Sequence, residues 1–169
     1  MRIFGKVVRS SALIVVGLAG SFGIAQPGFA QAAYGSYVGI GGGVGLSGRG
    51  DRTGGVVLTG RYRILEAPVS LRAQGIVTNG GAAIIPTVSY DIPLNWQTEA
   101  YIGAGVSIPT GNNSPVGDKV GFALQPGVDY AIPGSNTVIF GNAVIAFDAY
   151  RNGGGTAVSV QGGVGFQFR

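Results

Sequence analysis

The chain has 169 residues and a formal charge of +4 at pH 7; glycine accounts for 33 residues, and only 11% of the residues are charged. Globular domains usually contain about 25% charged residues, so a water-facing surface is hard to build from this composition. Cysteine and histidine are absent, which excludes disulfides, ordinary zinc sites and Ser-His or Cys-His catalytic pairs. We predict a single domain that is not an enzyme and has no catalytic residues, metal or cofactor.

Residues 1–30 have the pattern of an export signal. Three basic residues precede an apolar run at residues 12–19, and small residues provide a cleavage site after Ala30 or Ala32. The run is shorter than the roughly 20 apolar residues of a membrane-spanning helix. We predict a signal peptide at residues 1–30 and a barrel domain at residues 31–169. Cleavage would remove three of the eleven basic residues and none of the seven acidic ones, so the charge is no evidence for nucleic-acid binding.

From residue 34 onward, apolar and polar side chains alternate in segments of about ten residues, bounded by Gly, Pro, Asn or charged clusters, as in antiparallel hairpins. Eight strands are predicted, at residues 34–46, 54–64, 69–78, 82–92, 98–108, 119–132, 137–150 and 156–168. The connections at 65–68, 93–97 and 133–136 are tight. Those at 47–53, 109–118 and 151–155 are longer, with 79–81 a short exception. Short turns at one end and longer loops at the other are typical of closed up-and-down barrels.

A repeated pattern ends the even-numbered strands. Tyr62, Tyr90 and Tyr130 each precede an isoleucine by two residues, just before a tight turn. Aromatic rings at one common height are typical of a membrane interface, although tyrosine is also common in any strand. The predicted aromatic belt comprises Tyr62, Tyr90, Trp96, Tyr130, Phe166 and Phe168.

Each strand has an apolar row and a mixed row, and two barrels fit this alternation. A soluble lipocalin-like barrel would turn the apolar row inward around a ligand, and a membrane barrel would turn it outward. In the first and last strands the mixed row has no charged residue between Tyr37 and Gly45 or between Ala157 and Gln167. Because such a water-facing surface would be poorly soluble, we favour an eight-stranded antiparallel transmembrane barrel.

Six charged residues of the mixed rows lie near the tight-turn ends of their strands: Arg61, Arg63, Arg72, Asp91, Glu99 and Asp129. Inside a barrel they would pair as a layer that blocks this end, because buried ions need partners. The alternative is a selectivity ring that lines an open pore.

Two further expectations concern the strand interiors. Pro86 and Pro126 lie in strands that should be paired on both sides, so we expect bulges there. Small residues such as Gly43, Ala83 and Ala157 predominate in the loop-side half of the mixed rows, so we expect a shallow cavity open at the long-loop end.

The sequence resembles the small eight-stranded outer-membrane barrels of Gram-negative bacteria, the OmpA/OmpX-like and opacity-type porin-like group. The resemblance covers residues 34–169 and rests on the strand pattern and on the closing residues 163–168. It implies location in the bacterial outer membrane, contact with outer-membrane lipid, and insertion by the outer-membrane assembly machinery. In that group the last strand carries the assembly signal, which corresponds here to Val164, Phe166 and Phe168. Arg169 follows the final aromatic residue and departs from that pattern.

The function expected from this resemblance is structural or loop-mediated interaction by a barrel whose lumen is blocked by the charged layer. A narrow porin or channel for ions or small solutes is the alternative, and a soluble periplasmic lipocalin-like binding barrel is the second alternative. The sequence does not identify a partner for the loops.

Overall fold

The computed structural model describes residues 35–46, 53–111 and 114–168. Within these residues the chain forms eight strands: β1 Ser36–Gly45, β2 Gly54–Ile64, β3 Val69–Thr78, β4 Gly81–Pro93, β5 Thr98–Gly111, β6 Gly121–Ala131, β7 Thr137–Phe147 and β8 Ala157–Phe168. Each strand pairs antiparallel with its sequence neighbours, and β1 also pairs with β8, which closes the barrel. The predicted fold is confirmed. The predicted signal peptide, residues 47–52 of the first long loop and Arg169 lie outside the described residues.

Most strand bounds agree with the prediction, and the largest differences, three residues each, are at the ends of β5, which extends to Gly111 instead of residue 108, and of β7. This strand ends at Phe147, short of the expected residue 150, because Asp148 has a positive φ of 53° that turns the chain out of the ladder. Across the part of the chain that the structure describes, no helix is long and apolar enough to cross a membrane.

Two inward-facing glycines allow the barrel to close between β1 and β8. Gly41 and Gly163 are register partners. A Cβ atom on Gly41 would lie 2.2 Å from the Gly162 carbonyl oxygen, and one on Gly163 would lie 2.3 Å from the Ile40 carbonyl oxygen. Only glycine allows the two backbones to come this close.

The two faces of the sheet are opposite in character. Outward side chains are large, apolar and exposed, such as Leu58 (56% exposed) and Ile84 (60%), whereas inward ones such as Gln74 and Ser89 (each 1%) are polar and buried. This is the reverse of a water-soluble barrel, in which the apolar row packs inside.

The expectation of bulges at the two prolines is wrong. In the β4–β5 ladder, Ile84 pairs with Ile108 and Thr87 with Gly105, so the register is unchanged on either side of Pro86. The β6–β7 ladder likewise keeps its register across Pro126. A proline lacks an N–H group and therefore removes a hydrogen bond, but its outward ring fits the regular pleat without an inserted residue.

Candidate functional site

The inward rows bring the six predicted charged residues together near the short-turn end of the barrel, and each is at most 8% exposed. We call Arg61, Arg63, Arg72, Asp91, Glu99 and Asp129 the charge cluster. They come from five consecutive strands, β2 to β6. Each alternates along its strand with the outward side chains, so all six face the lumen. Three arginines and three carboxylates give a formal charge balance.

Arg61 occupies the centre of the charge cluster and contacts all three carboxylates. Its Nη2 lies 3.0 Å from Asp91 Oδ2 and 2.8 Å from Glu99 Oε2, and its Nη1 lies 3.1 Å from Asp129 Oδ2. Its Nε donates a hydrogen bond to Ser70 Oγ at 3.0 Å. These contacts fix the guanidinium plane, as expected for a buried arginine that is paired and hydrogen-bonded.

The other two arginines complete the pairing. Arg63 Nη1 lies 2.8 and 3.0 Å from the two carboxylate oxygens of Glu99. Arg72 Nη2 lies 2.9 Å from Asp129 Oδ2 and 3.5 Å from Asp91 Oδ1. Asp91 and Asp129 therefore each bridge Arg61 and Arg72, which are register partners on β2 and β3. The shared carboxylates offset the repulsion between two adjacent positive charges.

Four neutral side chains support the cluster, and the sequence analysis did not assign them to it. The Tyr37 hydroxyl donates to Asp129 Oδ1 at 3.0 Å, and the Ser70 hydroxyl donates to Asp91. Ser89 Oγ accepts from Arg72 Nε at 3.0 Å and donates to Asp91 Oδ1 at 2.9 Å. The Arg72 guanidinium also lies 3.3 Å from the centroid of the Tyr101 ring, a cation–π geometry. The available signal was their inward parity, together with charged register partners for Tyr37, Ser70 and Tyr101.

A layer of uncharged polar side chains lies next to the charge cluster. Thr87 Oγ1 donates to Gln125 Oε1 at 2.7 Å, and Gln125 Nε2 donates to Gln74 Oε1 at 2.6 Å. Among the described residues, the side-chain atoms Gln74 Nε2 and Gln161 Oε1 are buried without a hydrogen-bond partner. This layer is less completely paired than the charge cluster.

Apolar side chains fill the lumen toward the long loops, so the prediction of a shallow open cavity is wrong. Val57, Ile76, Ile85 and Val144 are each at most 1% exposed and belong to one buried cluster. Val116, from the β5–β6 connection, joins the same cluster at 0% exposure. Aliphatic side chains on the inward face occupy the space that the inward-facing glycines leave.

In the described ranges there is no group of three or more metal-ligating side chains that could hold an ion. Each carboxylate of the charge cluster already contacts at least one arginine. Chemically, the cluster can neutralise itself and link strands across the lumen.

The sequence matches no protein-family model and no curated protein at a significant level. Solved structures share the architecture. Neisserial surface protein A (NspA) is 15% identical with a TM-score of 0.61, covering 79% of this chain and 97% of that one. Ail, the attachment invasion locus protein of Yersinia pestis, is 17% identical with a TM-score of 0.51, covering 79% and 99%. A de novo designed transmembrane β-barrel is 16% identical with a TM-score of 0.56, covering 79% and 96%.

The chain has the fold of the eight-stranded transmembrane β-barrels. At these identities the similarity shows the fold alone.

In this barrel, the six residues predicted to form the aromatic belt are all exposed. Their exposure ranges from 37% for Tyr130 to 71% for Trp96. Tyr62, Tyr90 and Tyr130 lie beside the three short turns. The proposed assembly residues Val164, Phe166 and Phe168 share the outward face of β8, exposed by 52%, 59% and 45%.

Proposed function

We propose that this chain is a non-enzymatic barrel of the bacterial outer membrane, exported through residues 1–30 and inserted by the outer-membrane assembly machinery. Its long loops carry a structural or interaction role, and the charge cluster blocks its lumen. The observation that carries the proposal is the inversion of the two faces. Leu58 is 56% exposed on the outside while Arg61 is 3% exposed on the inside, which suits lipid outside and a narrow polar interior.

The outward surface supports a membrane location. Large apolar side chains cover every strand, and the described ladders pair each strand on both sides. A bilayer requires backbone groups to be satisfied within the protein, and a closed barrel meets that requirement. In water the same surface would be an extensive apolar patch.

The completeness of the ion pairing supports a blocked lumen over a channel. A selectivity ring would present charge to passing solute, whereas all six residues here are buried and bonded to one another. An eight-stranded barrel has an interior that its own side chains fill. The loop-mediated role rests on the fold, and one structural neighbour carries the name attachment invasion locus protein.

Membrane fractionation tests location and fold together. The full chain should be recovered with outer membranes, and its gel migration should shift on heating, because a folded barrel resists detergent until it is heated. Recovery in the soluble periplasmic fraction without detergent would contradict the proposal.

Planar-bilayer recording of the purified barrel tests the lumen. We expect no steady conductance. Stable multi-level conductance that disappears in Arg72→Ala would instead support the narrow channel.

A further inference from the structure

The segment at residues 114–120, which we call the plug segment, turns its centre into the barrel. Pro115, Val116 and Gly117 are all buried, and Val116 packs at 0% exposure with Val57 and Val144. Connections between strands usually run over the protein surface, so three successive buried residues are unusual in one. The plug segment therefore covers the long-loop end of the lumen, the end opposite the charge cluster.

Two glycines show how closely the plug segment is fitted. A Cβ on Gly45, at the end of β1, would lie 3.3 Å from Pro115 Cα. Gly117 has a φ of 96°, and a Cβ there would lie 2.2 Å from the Ala149 carbonyl oxygen. Both the backbone conformation and the contact require glycine at position 117.

A set of contacts, which we call the latch, ties the plug segment to the residues that follow β7. The N–H groups of Asp118 and Lys119 donate to the Ala149 carbonyl oxygen at 2.9 and 3.0 Å. Asp118 Oδ1 accepts from the Arg151 N–H at 2.9 Å, and Arg151 Nε donates to the Asp118 carbonyl oxygen at 3.2 Å. Lys119 also forms an ion pair with Asp148.

The side-chain contacts of the latch are more exposed than the charge cluster, whereas Ala149, which accepts its two backbone hydrogen bonds, is 0% exposed. The Lys119 and Asp148 side chains are 42% and 63% exposed, and exposed ion pairs contribute little to stability. By contrast, the Arg61, Asp91 and Glu99 side chains are at most 1% exposed. Water can replace the exposed side-chain contacts, and none of the latch contacts belongs to a strand ladder, so local opening of the plug segment would leave the ladders intact.

We propose that the plug segment is a hinged closure of the long-loop end, held by the latch and independent of the charge cluster. This closure deepens the proposed function. It rests on that function for one point, the assignment of the long-loop end to the cell exterior. The barrel is closed twice, by paired ions at one end and by a buried valine at the other. Any small solute that enters the apolar half of the lumen from the loop side must first displace Val116.

Cysteine accessibility tests the closure directly, since the chain has no cysteine. Ala123 is inward on β6 and 0% exposed in the same cluster as Val116. The full chain with Ala123→Cys, folded in lipid vesicles, is treated with a small membrane-impermeant thiosulfonate. We expect modification to be at least about tenfold slower than for Asn152→Cys in the exposed loop, because reaction requires local opening.

A matched pair of glycine variants tests whether the plug segment controls this rate. Gly117→Ala places a methyl group against Ala149, whereas Gly153→Ala has the same positive-φ strain (φ 102°) with no described heavy atom within 4 Å. In the Ala123→Cys background, Gly117→Ala should accelerate modification about tenfold, since reaction follows the open population. Gly153→Ala should leave the rate near its starting value.

Heat-modifiable migration verifies that each variant is folded. Should Gly117→Ala not fold, Asp118→Ala removes the side-chain acceptor of the latch and should also accelerate modification. Modification of Ala123→Cys as fast as Asn152→Cys would overturn the proposal, as would equal rates in folded latch variants and controls. These readouts measure thiol modification rates, so their failure is distinguishable from failure of the fractionation or of the conductance measurement that tests the proposed function.

Discussion

The Tyr37 hydroxyl donates a hydrogen bond to Asp129 Oδ1 at 3.0 Å, joining β1 to β6 across the lumen. These strands are not neighbours in the barrel. The same hydroxyl accepts from Arg72 Nη1 at 3.3 Å. The contact extends the charge cluster from five strands to six, and it places a neutral residue between two ions.

Tyr37→Phe should destabilise the barrel by about 1.5–3 kcal/mol, the range for a hydrogen bond to a charged group, because Asp129 loses a donor in a buried site. The stacked contact with Phe140, at 6.3 Å between ring centroids, should remain. Urea unfolding in lipid vesicles, followed by the fluorescence of Trp96, measures the change. Tyr62→Phe is the control, since Tyr62 is 63% exposed on the outer face. Equal stability of the two variants would contradict a structural role for the cross-lumen bond.

Arg61→Met should cost about 3–5 kcal/mol, because it leaves buried carboxylates without their shared partner. Lys119→Met, which removes one partner of an exposed ion pair, should cost about 1 kcal/mol or less. The same urea titration compares them. If Arg61→Met lowered the free energy of unfolding no more than Lys119→Met, the charge cluster would not stabilise the fold.

Gly41→Ala should strongly reduce the folded fraction, because its Cβ would lie 2.2 Å from backbone at the β1–β8 closure. Gly42→Ala points outward, where the nearest atom to an added Cβ is 3.9 Å away, so it should fold normally. The fraction of heat-modifiable protein after refolding in detergent measures both. Similar yields would show that the closure tolerates a wider spacing than the structure indicates.

Gly127→Ala should destabilise the barrel by about 1–3 kcal/mol, as overpacking does in a filled interior. An added Cβ would lie 2.4 Å from Tyr101 Cζ and would push the ring away from Arg72. Gly60→Ala, with no described heavy atom within 4 Å of the added Cβ, is the matched control. A Tyr101→Ala background should remove the Tyr101 part of the cost of Gly127→Ala and leave the part due to Asn142 Cβ, 2.7 Å from the added Cβ. If the two substitutions changed the free energy of unfolding additively, the strain would not come from the Tyr101 contact.

Phe168→Ala should lower outer-membrane assembly in cells several-fold while the purified variant still refolds in vesicles. Phe122→Ala is the control, because Phe122 is similarly exposed (51%) but lies at the long-loop end of β6. Comparison of heat-modifiable protein in cell envelopes with the refolding yield separates the two effects. Normal envelope levels of Phe168→Ala would contradict an assembly signal in β8.

Much of the architecture follows from local pattern. The period-2 alternation predicted each strand of the described barrel, and β2 and β3 have the predicted bounds. The same parity assigned Arg61 and Asp129 to one face before any contact was known. This works because a pleated strand turns alternate side chains to opposite faces, and turn residues mark where each strand stops.

Contacts across the lumen depend on information that no single strand contains. Which carboxylate reaches Arg61, and that Tyr37 meets Asp129, depends on the stagger between strands, a property of the closed sheet. The apolar filling by Ile76 and Ile85 does not follow from the local pattern, because small residues predominate among their inward neighbours. The burial of Val116 depends on the close approach of Gly117 to Ala149. The sequence by itself determined the strands and their faces, and only the tertiary structure decided how both ends of the lumen are filled.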